Sequence, residues 1–143
     1  MTTIQRSALL PYPADKLFAL VNDIESYPHY MDGCVRAEIL CRDDTLVEAR
    51  LHLARAGIAH SFATRNRNHG DHTIELELLD GPFESFNGRW QFQQLGDTAC
   101  KVSLDLDFTL SNSILGAAAA RLFDSITANM VDAVTRRARE LYG

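Results

Sequence analysis

The chain has 143 residues, of which 46% are hydrophobic and 23% are charged, close to the averages of globular domains. One domain over residues 1–143 is long enough to bury a core without disulfides or a structural metal. The 14 Lys and Arg residues against 19 Asp and Glu residues leave a net charge of −5. This charge argues against a DNA-binding protein and leaves only a local basic patch for contact with another polyanion.

The N-terminal part of the chain predicts a strand followed by a helix. Residues 3–10 form a short run rich in Ile, Leu and Ala, and prolines follow it directly. This pattern predicts a first strand that ends before the prolines. Leu17, Val21 and Ile24 then recur with helical spacing behind Asp15, whose charge favours a helix N-terminus. The pattern breaks at Tyr27-Pro28, because proline disfavours helical torsions in the residue before it. We therefore expect one or two short helices after the first strand.

From residue 35 to residue 110 apolar and polar residues alternate, as in Val47-Glu48-Ala49-Arg50-Leu51. This period of two is typical of strands with one buried face. No helix-length segment separates the runs, so about six strands of an antiparallel meander are predicted in addition to the first strand. The separating segments have turn-forming compositions: Arg42-Asp43-Asp44, Asn68-His69-Gly70-Asp71, Asp80-Gly81-Pro82 and Gly96-Asp97.

The last thirty residues predict one long helix. Ser111-Asn112-Ser113 supplies N-cap residues, and no proline follows up to Tyr142. Apolar residues recur there with helical spacing, at Leu115, Leu122, Ile126, Met130, Val134 and Leu141. The predicted fold class is therefore α+β, with a curved antiparallel sheet of about seven strands wrapped around a long C-terminal helix.

Motifs for catalysis or metal binding are few in this sequence. It contains no nucleophile elbow, dinucleotide or phosphate-binding glycine loop, and no zinc-protease helix motif. The segment His69–His72 has the residue types of a metal site, but its Gly and Asp favour a hairpin turn. Cys34, Cys41 and Cys100 form no C-x-x-C pair and are expected to be reduced thiols. No apolar segment approaches membrane-spanning length, and we expect a cytoplasmic location.

A difference in side-chain size points to a ligand site. The predicted strands carry large rings at Phe62, Phe86, Trp90, Phe92 and Phe108, whereas the last helix begins with Gly116-Ala117-Ala118-Ala119-Ala120. Either the helix approaches the sheet closely at this point, or a cavity remains between them. A cavity lined by aromatic and aliphatic side chains would be a ligand site by default.

Two basic clusters are candidates for contact with a polyanion. Arg65 and Arg67 share one face of a predicted strand, and Arg136, Arg137 and Arg139 lie near the end of the last helix. Cations at a helix C-terminus also complement the helix dipole, so the second cluster has a structural explanation as well.

Several short segments together form a recognisable pattern. They are Val21 to Pro28 with Gly33-Cys34, Asp80-Gly81-Pro82-Phe83, Gly88 to Phe92, Arg6 to Tyr12, Ala56-Gly57-Ile58, Phe62 to Asn66, Asn129-Met130-Val131 and Arg137-Ala138. In these segments the chain resembles the coenzyme Q-binding START-like family of polyketide cyclase/dehydrase type, and more closely its bacterial branch named for the ribosome association toxin RatA. The resemblance extends over essentially the whole chain.

The resemblance implies a helix-grip fold with a deep apolar cavity between sheet and helix. It implies a hydrophobic ligand, with a ubiquinone-like isoprenoid as the family's named candidate, and no required cofactor or metal. In this interpretation Tyr27, Pro28 and Phe83 shape the cavity entrance. The ligand-binding set is completed by Phe62, Trp90, Phe92, Phe108, Ala119 and Phe123.

Three functional hypotheses follow. The first is a non-enzymatic carrier of a quinone-like lipid that supports respiration, with transient contact with a membrane surface. The second, which the resemblance equally implies, is a toxin that binds the large ribosomal subunit through the basic clusters and blocks subunit joining. The third is an enzyme of the cyclase or hydratase kind, which would need a titratable group inside the cavity. One fold can serve all three, so the fold alone does not choose between them.

Overall fold

The computed structural model of the chain describes residues 2–55, 57–110 and 113–143. For residues 113–120 it describes the backbone and not the side chains. It confirms the predicted fold class: a seven-stranded antiparallel sheet packs against a helical segment at the end of the chain. The strands are β1 (Thr2–Leu10), β2 (Cys34–Arg42), β3 (Leu46–Arg55), β4 (Ile58–His69), β5 (Thr73–Asp80), β6 (Phe83–Leu95) and β7 (Ala99–Leu110). The helices are α1 (Ala14–Asn22), a 3₁₀ helix (Ile24–His29), α2 (Ser113–Ala128) and α3 (Met130–Tyr142).

The sheet is a meander from β2 to β7 with the first strand added at the far edge. Its order is β1-β7-β6-β5-β4-β3-β2, and each pairing is antiparallel. The predicted turn at His69–His72 joins β4 to β5, where the His72 N–H donates to the His69 carbonyl at 3.2 Å. The alternation predicted from the sequence therefore becomes two faces, an apolar inner face and a charged outer face.

The core lies between the inner face and the helices. On β7 the alternate residues Cys100, Val102, Leu104, Leu106 and Phe108 are all at most 3% exposed. From the helical side, α1 and the 3₁₀ helix contribute Leu17, Val21, Ile24 and Tyr27, and the last two helices contribute Phe123, Ile126 and Val134. The apolar spacing read from the sequence thus identifies the buried faces of both layers.

The predicted single C-terminal helix is divided in two at Asn129, which has φ −101° and ψ 0°. The Asn129 N–H donates to the carbonyl of Ile126 at 3.2 Å, a 3₁₀-type bond, and its side-chain amide donates to the carbonyl of Ser125 at 2.7 Å. Thr127 also bonds back to the carbonyl of Phe123 at 2.6 Å. Such bonds between side chains and the backbone compete with the regular helix ladder and bend helices.

The loop that follows the 3₁₀ helix is fixed against α2 and the end of β3. Arg55 donates one hydrogen bond to Asp32 Oδ2 at 2.8 Å and another to the hydroxyl of Ser125. Gly33 has φ +92°, and a Cβ atom there would lie 2.7 Å from Ile126. A residue without a side chain is therefore required for this close approach and this backbone conformation.

Candidate functional site

An apolar cavity lies between the inner face of the sheet and the helical layer. It has a volume of about 50 Å³. The wall combines the end of α1, the 3₁₀ helix, the middle of the sheet and the junction of α2 with α3. Its members are Val21, Asn22, Tyr27, Leu51, Phe62, Asn66, Ile74, Leu76, Phe83, Phe86, Trp90, Leu104, Leu106, Phe108, Phe123, Thr127 and Met130.

Phenylalanine side chains occupy most of the space around this cavity. Phe123 of α2 has its ring centroid 4.9 Å from Phe83, 5.6 Å from Phe62 and 6.3 Å from Phe108. An engineered cavity of about 150 Å³ is enough to hold benzene, so the space present here is about a third of what one ring needs. A ring-sized ligand therefore requires movement of at least one of these side chains.

The polar atoms of the wall lie on three separate elements. Asn66 projects inward from β4 and is 8% exposed, and the hydroxyl of Thr64 donates to its Oδ1 at 2.8 Å. The side-chain amide of Asn22 donates to the carbonyl of Phe18 at 3.1 Å, at the end of α1. Thr127 reaches the wall from α2. These groups can orient an uncharged polar atom within an otherwise apolar space.

Tyr27 is the one titratable residue among those of the described chain that form the wall. Its hydroxyl donates to the carbonyl of Val21, and burial raises its pKa well above the usual value, with smaller contributions from Tyr30, Cys34 and Asp23. A phenol in this state stays protonated and does not act as a base near neutral pH. The described wall therefore suits binding better than acid–base catalysis.

The structure brings together six of the nine residues predicted to bind a ligand. The cavity wall contains Tyr27, Phe62, Phe83, Trp90, Phe108 and Phe123. Phe92 is buried beneath the wall, stacked on Trp90 with centroids 6.0 Å apart, and Pro28 is half-buried within the 3₁₀ helix. Ala119 lies in α2, but its side chain is outside the described residues, so the predicted mismatch between alanines and rings is not decided.

The sequence reasoning did not identify Asn66 as a member of this wall. A signal was present, because Asn66 lies between Arg65 and Arg67 on a strand whose successive side chains point to opposite faces. If the two arginines face outward, Asn66 must face inward.

The Arg65 and Arg67 cluster lies on the outer face of the sheet among carboxylates. Arg65 Nε is 2.8 Å from Glu48, and Arg67 Nε is 2.7 Å from Glu77. The hydrogen bond and charge of Glu48 raise the pKa of Arg65 further. These side chains form an ion-pair ladder across β3, β4 and β5, and their positive charge is compensated locally.

The second cluster, on α3, contains one engaged arginine and two exposed ones. Arg137 packs its guanidinium 5.4 Å from the ring centre of Tyr30 and lies 3.5 Å from Glu140. Arg136 and Arg139 are exposed, and no carboxylate of the described residues lies within ion-pair distance of either. Lys16 lies against the end of the same helix, with its Nζ 5.0 Å from the Tyr142 ring centre. We call Arg136 and Arg139 the α3 basic surface.

The described residues contain neither a cluster of metal-ligating side chains nor a membrane-spanning helix. No group of three or more His, Cys, Asp or Glu side chains in those parts of the chain is arranged to hold a metal ion. None of the helices in the described ranges combines the length and apolar character needed to span a membrane.

Comparison with known proteins places this architecture in a family. The chain matches the family described as polyketide cyclase/dehydrase and lipid transport over residues 10–135. Two solved structures share the fold: TTHA0849 from Thermus thermophilus (TM-score 0.86, 16% identity, 99% of this chain and 100% of that chain) and the Zhui aromatase/cyclase from Streptomyces (TM-score 0.85, 17% identity, 97% and 94%). At these identities the likeness concerns the fold.

Three curated relatives are also similar. The ribosome association toxin RatA of Pseudomonas aeruginosa is 43% identical over 99% of both chains, and that of Escherichia coli K12 is 39% identical over 99% of this chain and 90% of its own. The mitochondrial coenzyme Q-binding protein COQ10 of Dictyostelium discoideum is 24% identical over 100% of this chain and 72% of its own. The chain belongs to the START-like polyketide cyclase/dehydrase and lipid transport family, and its similarity to the RatA proteins extends over its full length.

Proposed function

We propose that this protein associates with the ribosome, as the names of its full-length relatives state for them. In this proposal it binds the large subunit and blocks subunit joining. The observation that carries the proposal is the similarity to the ribosome association toxins at 38–43% identity over at least 99% of the chain. The similarity to the coenzyme Q-binding protein is weaker, at 24% identity.

The charge distribution favours the α3 basic surface as the contact with ribosomal RNA. A cation without a carboxylate partner is more readily available to a phosphate group, because no ion pair has to be broken first. Arg136 and Arg139 are one turn apart on α3 and are exposed, whereas Arg65 and Arg67 each lie within 2.8 Å of a carboxylate oxygen. The net charge of −5 restricts the contact to such a local surface.

The test is co-sedimentation with separated large and small ribosomal subunits over a range of salt concentrations. We expect Arg136→Ala/Arg139→Ala to weaken binding to the large subunit and to lower the slope of log K against log salt by about two, since two phosphate contacts are lost. Arg65→Ala/Arg67→Ala is the matched control, because it removes the same charge. Absence of large-subunit binding by the unaltered protein would overturn the proposed function, and equal effects of the two double variants would overturn the choice of surface.

A second candidate function, binding of an uncharged apolar ligand such as an isoprenoid quinone, is favoured by the cavity. Its wall, as far as the structure describes it, consists mainly of aromatic and aliphatic side chains and contains no Asp, Glu, Lys, Arg or His. Such a wall favours neutral ligands, because a buried charge without a partner is strongly destabilising. The same composition supports binding without catalysis, and the two functions are compatible on one chain.

Native mass spectrometry of protein purified from a quinone-producing host tests the second function. A stoichiometric adduct that organic extraction identifies as an isoprenoid quinone is the expected result. A mass without adduct, together with failure to take up added short-chain quinone, would contradict it.

A further inference from the structure

Asn66 is a buried polar residue in the wall of an apolar cavity. It lies in the middle of β4, two residues after a register irregularity between Ala63 and Thr64, and its side chain points to the inner face. It is 8% exposed and contributes to the cavity wall. A buried carboxamide carries two N–H donors and one carbonyl acceptor, and each needs a partner.

Among the described residues, the side chain of Asn66 has a hydrogen-bond partner for its oxygen and none for its nitrogen. Thr64 donates its hydroxyl hydrogen to Asn66 Oδ1 at 2.8 Å, which fixes the orientation of the amide. No hydrogen bond from Asn66 Nδ2 to an acceptor is found among the described residues, in contrast to Oδ1. Because Asn66 lines the cavity, its N–H donors, which have no acceptor among the described residues, are available to a ligand oxygen there. Leaving such donors without an acceptor in an apolar environment is unfavourable.

We propose that Asn66 determines ligand specificity by donating an N–H hydrogen bond to an uncharged oxygen, a ketone or quinone carbonyl, on an otherwise apolar ligand. Thr64 is its positioning residue. The absence of ionisable side chains other than Tyr27 from the described wall argues against an ionised carboxylate or phosphate as the acceptor. This inference rests on the second proposed function, ligand binding, and is independent of ribosome association.

Two small molecules of nearly the same shape isolate the hydrogen bond. Acetophenone carries one carbonyl oxygen beside a benzene ring, and cumene has a methyl group in its place. Trp90 is the single tryptophan of the chain and lies in the cavity wall, so its indole NMR signal reports binding of either compound. We expect Asn66→Leu to weaken the binding of acetophenone about fivefold to tenfold relative to the binding of cumene, because one buried hydrogen bond is lost.

Asn68→Leu is the matched control, since Asn68 lies on the same face of β4 but outside the cavity wall. It should leave the ratio of the two dissociation constants unchanged. An unchanged ratio in Asn66→Leu, with both compounds still bound, would overturn the role of Asn66 while leaving ligand binding intact. If neither compound perturbs the Trp90 signal of the unaltered protein, the cavity is not a ligand site and the proposal fails with it.

A second variant keeps the test usable if Asn66→Leu does not fold. Thr64→Val retains the shape of the side chain and the Asn66 amide but removes the hydroxyl that orients it. The ratio should shift in the same direction and by less than in Asn66→Leu. A loss of stability alone would weaken the binding of both compounds equally. An unchanged ratio of the two dissociation constants in Thr64→Val would therefore overturn the positioning role of Thr64.

Discussion

Replacing Phe123 by alanine should enlarge the small cavity so that a benzene ring fits without displacing another side chain. Phe123 is 1% exposed and its ring packs against three other phenylalanines at centroid distances of 4.9 to 6.3 Å. Removal of such a ring costs about 3–5 kcal/mol of stability, because contacts are lost and a void remains. For 143 residues, an unfolding entropy of about 2.1 cal/mol/K per residue converts this loss to a Tm lower by about 10–17 °C.

The enlarged cavity should then recover stability when benzene is added. The existing space of about 50 Å³, increased by the volume of the deleted ring, reaches the roughly 150 Å³ that is known to hold benzene. Benzene at ten times its dissociation constant contributes about 1.4 kcal/mol to the folded state, which raises Tm by about 5 °C. Differential scanning calorimetry with and without benzene measures both effects.

Phe92→Ala provides the control for this prediction. Phe92 is 2% exposed and makes comparable aromatic contacts, with Phe18 at 5.8 Å and Trp90 at 6.0 Å, but it does not belong to the cavity wall. Both variants should lose similar stability, and Phe123→Ala should respond to benzene more strongly than Phe92→Ala, in which a ring still has to displace a side chain to enter the cavity. An equal response in the two variants, or none in Phe123→Ala, would refute the reasoning that the Phe123 ring occupies space beside the cavity that benzene can fill.

Two further predictions concern the loop after the 3₁₀ helix and the strand that follows it. Gly33→Ala should lower stability by about 1–3 kcal/mol, through a positive φ and the contact with Ile126. The further change Ile126→Val should recover part of the loss in denaturant titrations; full additivity would contradict the contact. Burial raises the pKa of Cys34 to about 11. The folded state therefore holds the thiol proton of Cys34 more tightly than the unfolded state does. The contribution of this thiol to the free energy of unfolding is complete below pH 9 and is lost as the pH rises towards 11. Cys34→Ala should flatten that decline, and iodoacetamide at about pH 8 should modify exposed Cys41 well before Cys34.

The sheet and the short helices were predictable because each strand shows a clean period of two and turn residues separate the strands. The division of the last helix was not predictable from the same kind of pattern. Leu122, Ile126, Met130 and Val134 keep an interval of four residues through the break, so the apolar face continues on both sides of Asn129. The cause is local hydrogen bonding by side chains, which hydrophobic periodicity does not report.

The cavity wall was predictable in part. Large rings on inner strand positions could be recognised from the sequence, and six of the nine predicted residues do meet around one space. The pairing of Arg65 and Arg67 with carboxylates could not be anticipated, because it depends on cross-strand register. Glu48 lies beside Arg65 through the pairing of β3 with β4, and Glu77 reaches Arg67 through the pairing of β4 with β5. Residues up to seventeen positions apart come together in this way.

The position of β1 has a consequence for the order of events during synthesis. Each strand from β2 to β7 pairs with its neighbour in sequence, so these hairpins can close one after another as the chain emerges. β1 pairs only with β7, through contacts such as that of Ile4 with Leu106. β1 is therefore made before the other six strands but pairs after them, and its edge stays unpaired until β7 has been translated. We expect the pairing of β1 with β7 to be the slow step of folding, because contacts between residues far apart in sequence form slowly.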